Sequence, residues 1–148
     1  MHFDTSVLQK NSDLTDLQQI LTAREERHVL RQQIAEGHHM SVSLNLNVPG
    51  FPKSNALYSR FFDDAVAQLQ NWLMAHRVMI DEKQINLLKH AAGDFFLAPV
   101  LTTQLSVKQL KNLTESFEEG HPLGRFIDVD VSDSAGNLVS SGKTKRCF

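Results

Sequence analysis

The stretch HPLGRFIDVDV (residues 121–131) decides the fold, because it passes from turn residues into a strict alternation of apolar and acidic residues. Apolar side chains at every second position from 127 to 131 have the period of a strand with one buried face. Asp128 and Asp130 then project together from the opposite face. Two neighbouring carboxylates can share a cation such as Mg²⁺, which proteins usually hold with one or two carboxylates plus phosphate oxygens. The alternative that the pattern leaves open is a solvated edge strand carrying two acidic residues.

The turn before this strand carries three further candidates for phosphate chemistry. Gly124 allows a tight backbone approach to a phosphate, and the guanidinium of Arg125 offers several donors to its oxygens. His121 is a candidate for positioning or protonating such a group. The alternative is a helix-to-strand turn in which the glycine serves backbone geometry and Arg125 pairs with a nearby glutamate.

In the rest of the chain, the hydrophobic periodicity predicts three helices and two antiparallel hairpins. The predicted helices cover about 12–36, 54–76 and 106–117, and the predicted strands cover about 40–48, 78–88, 95–101, 125–132 and 137–141. The predicted helix caps are Ser12 or Thr15, Ser54 or Asn55, and Ser106. We therefore expect an α+β fold with a mixed, largely antiparallel sheet and about three helices. A chain of 148 residues suits a single domain that covers residues 1–148.

Basic residues elsewhere in the chain are candidates for binding phosphate. Arg24 and Arg27 on the first predicted helix are three residues apart, a spacing that places both on one face, and Glu25 lies between them. Lys53 follows a Pro-Gly-Phe-Pro turn and precedes a helix start, where free amide groups bind anions. An exposed, salt-bridged helix surface and a solvent-exposed loop lysine are the respective alternatives.

The composition excludes several classes of function. A hydrophobic fraction of 41%, a charged fraction of 22% and a net charge of -2 are typical of a soluble globular protein. Basic residues are not interleaved with aromatic ones, so we expect no nucleic-acid partner. The single cysteine, Cys147, and the lack of an export signal or bilayer-length apolar run favour the cytoplasm and argue against a membrane role. Motifs of zinc proteases, α/β-hydrolases and Walker-type ATPases are absent from the sequence.

Four segments in order resemble one family, the apo-citrate lyase phosphoribosyl-dephospho-coenzyme A transferases, also described as holo-acyl-carrier synthases of citrate lyase. They are LTAREERHVLRQQ from Leu21, SLNLNVPGFPKS from Ser43, HPLGRFIDVDV from His121, and GNLVSSGKTKRC ending at Cys147. The resemblance implies transfer of a 2'-(5''-triphosphoribosyl)-3'-dephospho-CoA precursor to a serine of the acyl-carrier (gamma) subunit of citrate lyase, with release of pyrophosphate. It also implies a nucleotidyltransferase-like fold and chemistry that depends on Mg²⁺ or another divalent metal.

The resemblance assigns roles to the residues already singled out. Asp128 and Asp130 become the metal ligands and, with Arg125, the catalytic set. Glu25 becomes a candidate base or supporting partner, and the identity of the base stays open. The phosphate-facing residues would be Arg24, Arg27, Lys53, His121, Gly124 and Arg125.

The sequence departs from the family pattern at its C-terminal end. Family members usually continue beyond the cysteine that matches Cys147, whereas this chain stops at Phe148, and we expect it to be C-terminally truncated. The segment Ser140–Gly142 also lacks an arginine that the family tends to show. The alternative function is therefore a truncated, non-catalytic module that binds the acyl-carrier subunit or the coenzyme.

Overall fold

A computed structural model of the protein describes residues 5–49 and 55–140, with side chains from residue 15 onward. In chain order the elements are α1 (Thr5–Ala35), β1 (Ser41–Leu46), α2 (Ala56–Ala75), β2 (Met79–Ile80), β3 (Asn86–Leu88), β4 (Phe95–Thr102), α3 (Val107–Gly120) and β5 (Ile127–Ser132). Short 3-10 turns occur at Glu82–Gln84 and Gly124–Phe126. No helix in the described residues combines the length and apolarity needed to cross a membrane.

The strands form one sheet in the order β2-β4-β1-β5, and β3 pairs with the same edge of β4 as β2 does. Every strand pair in the described part of the chain is antiparallel. The two short strands lie end to end because β4, with eight residues, is long enough to pair with both. The inner strands are β4 and β1, and β5 lies at one edge of the sheet.

One face of the sheet carries the main hydrophobic core. Val42 and Leu44 of β1, Phe96 of β4, and Val129 of β5 are all fully buried there, together with Leu69 of α2. Both α2 and α3 pack on this face. The alternation in β1 and β5 therefore predicted correctly which side chains enter this core. It did not predict that Ser41 and Ser43, on the other face of β1, are buried as well.

The opposite face lies under α1 and is mostly polar. Its apolar part is a small cluster in which Ile34 and Leu30 of α1 pack on Phe95 and Leu97 of β4. The rest of this face carries serine, asparagine and aspartate side chains of β1 and β5, in the register Ser41↔Ser132, Ser43↔Asp130 and Asn45↔Asp128.

The edge of β5 that pairs with no other strand is covered by side chains of α3 and by the chain that follows β5. Lys111 Nζ donates to the Val129 carbonyl at 2.9 Å, and the Val129 N–H donates to Glu118 Oε2 at 3.4 Å. The Val139 N–H donates to the Val131 carbonyl at 2.8 Å. These contacts occupy backbone groups that an edge strand otherwise leaves unpaired.

Most of the predicted elements are confirmed, including the α+β class, the three helices of the described residues and the caps Asn55 and Ser106. Ser12 and Thr15 were wrong as caps, because the first helix already begins at Thr5. The predicted strand 78–88 is interrupted by a 3-10 turn, although both of its parts pair with β4 as expected of a hairpin. The last predicted strand is reduced, within the described residues, to the bridge Ser132↔Leu138.

Candidate active site

The carboxylate pair lies where β5 begins, on the face beneath α1. Asp128 and Asp130 are half-buried, and the alternate residues of β5 point into the main core, as the sequence predicts. Asp128 is directly opposite Asn45 on β1, and Asn45 is directly opposite Phe95 on β4. Asp130 is opposite Ser43. A row of oxygen-bearing side chains therefore runs across two strands and ends at an aromatic ring.

Arg31 of α1 reaches down onto this row, and the sequence analysis did not identify it. Its side chain is buried, and Nη2 donates to Ser43 Oγ at 3.2 Å. Its guanidinium carbon lies 5.3 Å from the centre of the Phe95 ring. Burial lowers the pKa of Arg31, and attraction to the charges of Asp130 and Asp128 offsets part of that shift. Arg31 is thus the cation of α1 that faces the carboxylate pair.

Arg27 lies one turn before Arg31 on α1, and its guanidinium contacts the same ring of Phe95. Its guanidinium carbon lies 4.9 Å from the centre of the Phe95 ring, and Nη2 donates to the Gly93 carbonyl at 2.9 Å. Burial, followed by repulsion from Arg31 and Arg24, lowers the pKa of Arg27 to about 10. The shift thus reflects mainly the burial of Arg27 and, to a smaller extent, the positive charges next to it on the same helix. Arginine remains protonated at neutral pH even so.

Lys111 supplies a cation from the other side of the strand. Its Nζ is 3.8 Å from Asp130 Oδ1 while it donates to the Val129 carbonyl. Asp130 therefore experiences positive charge both from α1 and from α3. An amphipathic helix pattern gives no sign that this lysine is buried, so the sequence analysis missed it.

The donor chemistry of the carboxylate pair fits a hard cation. Two carboxylates with an amide and a hydroxyl directly opposite offer oxygen ligands only, which is the set that Mg²⁺ prefers. Within residues 15–49 and 55–140 no three metal-ligating side chains of the His, Cys, Asp or Glu type cluster together. A pair of carboxylates is nonetheless the usual protein share for Mg²⁺ at a phosphate site.

A second polar cluster holds the turn between β3 and β4 beside Arg27. Asp94 is buried, and its Oδ2 accepts from Ser59 Oγ at 3.0 Å and lies 3.3 Å from Lys89 Nζ. Lys89 also bonds Asp63 Oδ1 at 2.6 Å. This network connects the first turns of α2 to the β3–β4 turn, where the Gly93 carbonyl accepts a hydrogen bond from Arg27. The Ala-Ala-Gly-Asp sequence predicted a turn, but it did not predict that the carboxylate of Asp94 is buried.

The structure separates the other predicted site residues. Arg24 and Glu25 are exposed on α1, and Arg125 is exposed with its guanidinium 5.4 Å from the ring of Phe126. Lys53 lies outside the described residues. Of the predicted phosphate-facing residues described by the structure, Arg27 is the one whose contacts bring it to the row of Asp128.

His121 and Gly124 are held by contacts with α2 and α3. His121 Nε2 lies 2.6 Å from Gln68 Oε1, and Nδ1 accepts from the Leu123 N–H, so both ring nitrogens are engaged on that side of the sheet. Gly124 is buried against the carbonyl of Glu118, and its N–H donates to the His121 carbonyl. The close approach that this glycine permits is thus to α3, as the structural alternative for the turn foresaw. Roles for these two residues at a phosphate stay predictions.

Comparisons with known proteins match this chain to relatives over most of its length. A sequence model of one family, described as apo-citrate lyase phosphoribosyl-dephospho-CoA transferase, matches residues 15–148. The protein named CitXG of Haemophilus influenzae is 30% identical over 140 residues, which are 94% of this chain and 29% of that protein. A probable apo-citrate lyase phosphoribosyl-dephospho-CoA transferase of Streptococcus pyogenes serotype M3 is 27% identical over 150 residues, 93% of this chain and 73% of that protein. A protein of the same name from Vibrio cholerae serotype O1 is 29% identical over 125 residues, 84% of this chain and 68% of that protein.

The family match includes every residue of the candidate site described above. It covers the arginines of α1, the strand β1 and the whole HPLGRFIDVDV stretch. The chain belongs to the family of apo-citrate lyase phosphoribosyl-dephospho-CoA transferases.

Proposed function

We propose that this chain transfers the 2'-(5''-triphosphoribosyl)-3'-dephospho-CoA precursor to a serine of the acyl-carrier (gamma) subunit of citrate lyase and releases pyrophosphate. Asp128 and Asp130 would hold a divalent cation such as Mg²⁺. The observation that carries the proposal is the position of this carboxylate pair, opposite Asn45 and Ser43 and beneath Arg31, in a chain of this family.

The reaction makes one bond and breaks one. The serine oxygen of the carrier attacks the α-phosphorus of the precursor and forms a phosphodiester. The bond from that phosphorus to the oxygen bridging to the β-phosphorus breaks, and pyrophosphate leaves with the electron pair. The serine proton passes to a base, for which we assign no residue.

The reaction needs positive charge that offsets the triphosphate and that is already in position before the phosphates bind. A triphosphate brings several negative charges toward two carboxylates, so fixed positive charge must offset them. Arg27 supplies that charge from one side of the Asp128 row, and Arg31 supplies it from above. A bound divalent cation would add charge at the carboxylates themselves and stabilise the leaving pyrophosphate. Because the guanidiniums are already held by the ring of Phe95 and by fixed oxygens, they need little rearrangement when the phosphates arrive.

The test measures the mass of the apo carrier subunit after incubation with the protein, the precursor and Mg²⁺. We expect wild type to convert the carrier, and Asp128→Asn and Asp130→Asn to slow conversion by about 100-fold or more. Asp64→Asn is the matched control, since Asp64 is exposed on α2, which packs on the other face of the sheet. Unchanged conversion by both site variants would contradict the assigned roles of the carboxylates.

The same mixture separates the proposal from the alternative of a binding module. Wild-type protein that binds the apo carrier or the precursor but gives no mass increase, while a relative of full length does, would overturn catalysis by this chain. Conversion that continues unchanged in excess EDTA would overturn the metal dependence alone.

A further inference from the structure

Arg31 carries a buried nitrogen that no described residue satisfies. The side chain is only 7% exposed, although proteins seldom bury a guanidinium. Nη2 donates to Ser43 Oγ, but Nε is also buried and has no hydrogen-bond partner among the described residues. Buried polar atoms are nearly always paired, so an unpaired one marks a place where a further group completes the set.

Two positive charges lie against the same aromatic ring at this place. The guanidinium carbons of Arg27 and Arg31 are 4.9 Å and 5.3 Å from the centre of the same Phe95 ring. Mutual repulsion contributes to the lowered pKa of Arg27, after the larger effect of burial. An anion that contacts both guanidiniums would remove the repulsion and satisfy Nε, and an oxyanion with several oxygens can accept from both at once.

The arginine pair lies next to the carboxylate pair because of the strand register. Phe95, Asn45 and Asp128 are direct cross-strand neighbours in one row. Phe95 and Asp128 are therefore two strand spacings apart, about 10 Å, and an anion held by the two arginines lies at the Phe95 end of this row. A chain of phosphates can extend from the arginines to the carboxylates over such a distance.

We propose that Arg31 is a further phosphate-binding residue, and that Arg27 and Arg31, stacked on Phe95, form a site for an oligophosphate such as the pyrophosphate part of the precursor. The choice of ligand rests on the proposed function. Arg31 contributes Nε and its remaining Nη to the phosphate oxygens, and Ser43 keeps its plane in position.

The test uses inorganic pyrophosphate and the whole chain, without carrier and with EDTA present, and measures the dissociation constant by calorimetry. We expect Arg31→Gln to weaken binding by about 10- to 100-fold, the range for losing hydrogen bonds to a charged group. Arg31→Lys keeps the charge but loses the planar fork, and we expect a loss of about tenfold. Arg77→Gln is the matched control, because Arg77 is exposed in the turn after α2, and it should bind as wild type does.

Circular dichroism checks each variant, and Arg31→Lys decides the matter if Arg31→Gln does not fold. Binding by Arg31→Lys equal to that of wild type, or wild-type protein that binds no pyrophosphate at millimolar concentration, overturns the inference. The two assays can also disagree. If the variants rank as expected in pyrophosphate binding but wild type transfers nothing to the carrier, the proposed function is overturned and the anion site is kept.

Discussion

Gly124 packs against the carbonyl oxygen of Glu118 so closely that a β-carbon at this position would overlap it. This contact joins the last turn of α3 to the turn from which β5 starts, and β5 carries both carboxylates. Gly124→Ala should therefore force the two backbones apart and lower the free energy of unfolding by about 1–3 kcal/mol. Urea unfolding measures the change. Gly120→Ala is the control, since a β-carbon there meets nothing within 4 Å, and equal losses for both variants would contradict the packing argument.

Lys111 is expected to stabilise the edge of the sheet as well as the site. Its ammonium donates to the Val129 carbonyl, and methionine in its place would fill the same space but leave that carbonyl without this donor. Lys111→Met should lower the free energy of unfolding by about 1–3 kcal/mol. Lys108→Met, at an exposed position of the same helix, should change it by less than about 0.5 kcal/mol. Thermal unfolding of the two variants side by side gives the comparison, and a neutral Lys111→Met would refute it.

Lys89 is expected to stabilise the fold up to alkaline pH and to lose this effect above it. Burial lowers the pKa of Lys89, but its hydrogen bonds to Asp63 and Asp94 and their charges raise it more, so the folded-state pKa lies above 10.5. A lysine whose pKa rises on folding stabilises the fold at every pH below its unfolded value, and this contribution is lost as pH rises through the folded-state value. Wild type should therefore exceed Lys89→Met in stability from about pH 7 upward, and the difference should shrink only above about pH 10.5. A difference that declines already near neutral pH would show that another group is responsible.

Two serines on the face under α1 should respond to alanine in opposite directions. Ser132 is 1% exposed, and its hydroxyl has no hydrogen-bond partner among the described residues. Ser132→Ala should raise the free energy of unfolding by about 0.5–1 kcal/mol, because it removes a buried polar atom. Ser43→Ala should lower it by about 1–2 kcal/mol, because Ser43 Oγ accepts from Arg31. Chemical denaturation of both variants at one pH tests the signs, and destabilisation by Ser132→Ala would indicate a partner for its hydroxyl.

The sequence predicted those parts of the fold that depend on local periodicity. The alternation in β1 and β5 showed which side chains enter the core, and it placed Asp128 and Asp130 on one face. Asn55 and Ser106 were identified as caps from residue type and position, and both accept the expected backbone N–H. The family resemblance is confirmed by the match over residues 15–148. The nucleotidyltransferase-like character of the fold, the metal and the individual site roles stay predictions.

The rest of the site depends on contacts between segments far apart in the chain. Arg31 meets Ser43 and Phe95 only because α1 folds over the polar face, and no local pattern distinguishes it from an exposed arginine of the same helix. The spacings of three and four between Arg24, Arg27 and Arg31 place all three on one stripe of the helix, but Arg24 on that stripe is exposed. Residue type also gave no sign that Gly124 packs against α3, and its role at a phosphate stays a prediction.

The uneven apolar packing of the two sheet faces has a consequence for how the molecule opens. In the described residues, α1 is attached through a cluster whose buried members are Ile34, Phe95 and Leu97, whereas the α2–α3 face holds a far larger core. The helix that carries the arginines should therefore detach at a lower free energy than the sheet that carries the carboxylates. In native-state hydrogen exchange, the amide protons of α1 should be replaced by deuterium well before those of β1 and β4. The cationic half and the anionic half of the site thus belong to cooperative units of different local stability.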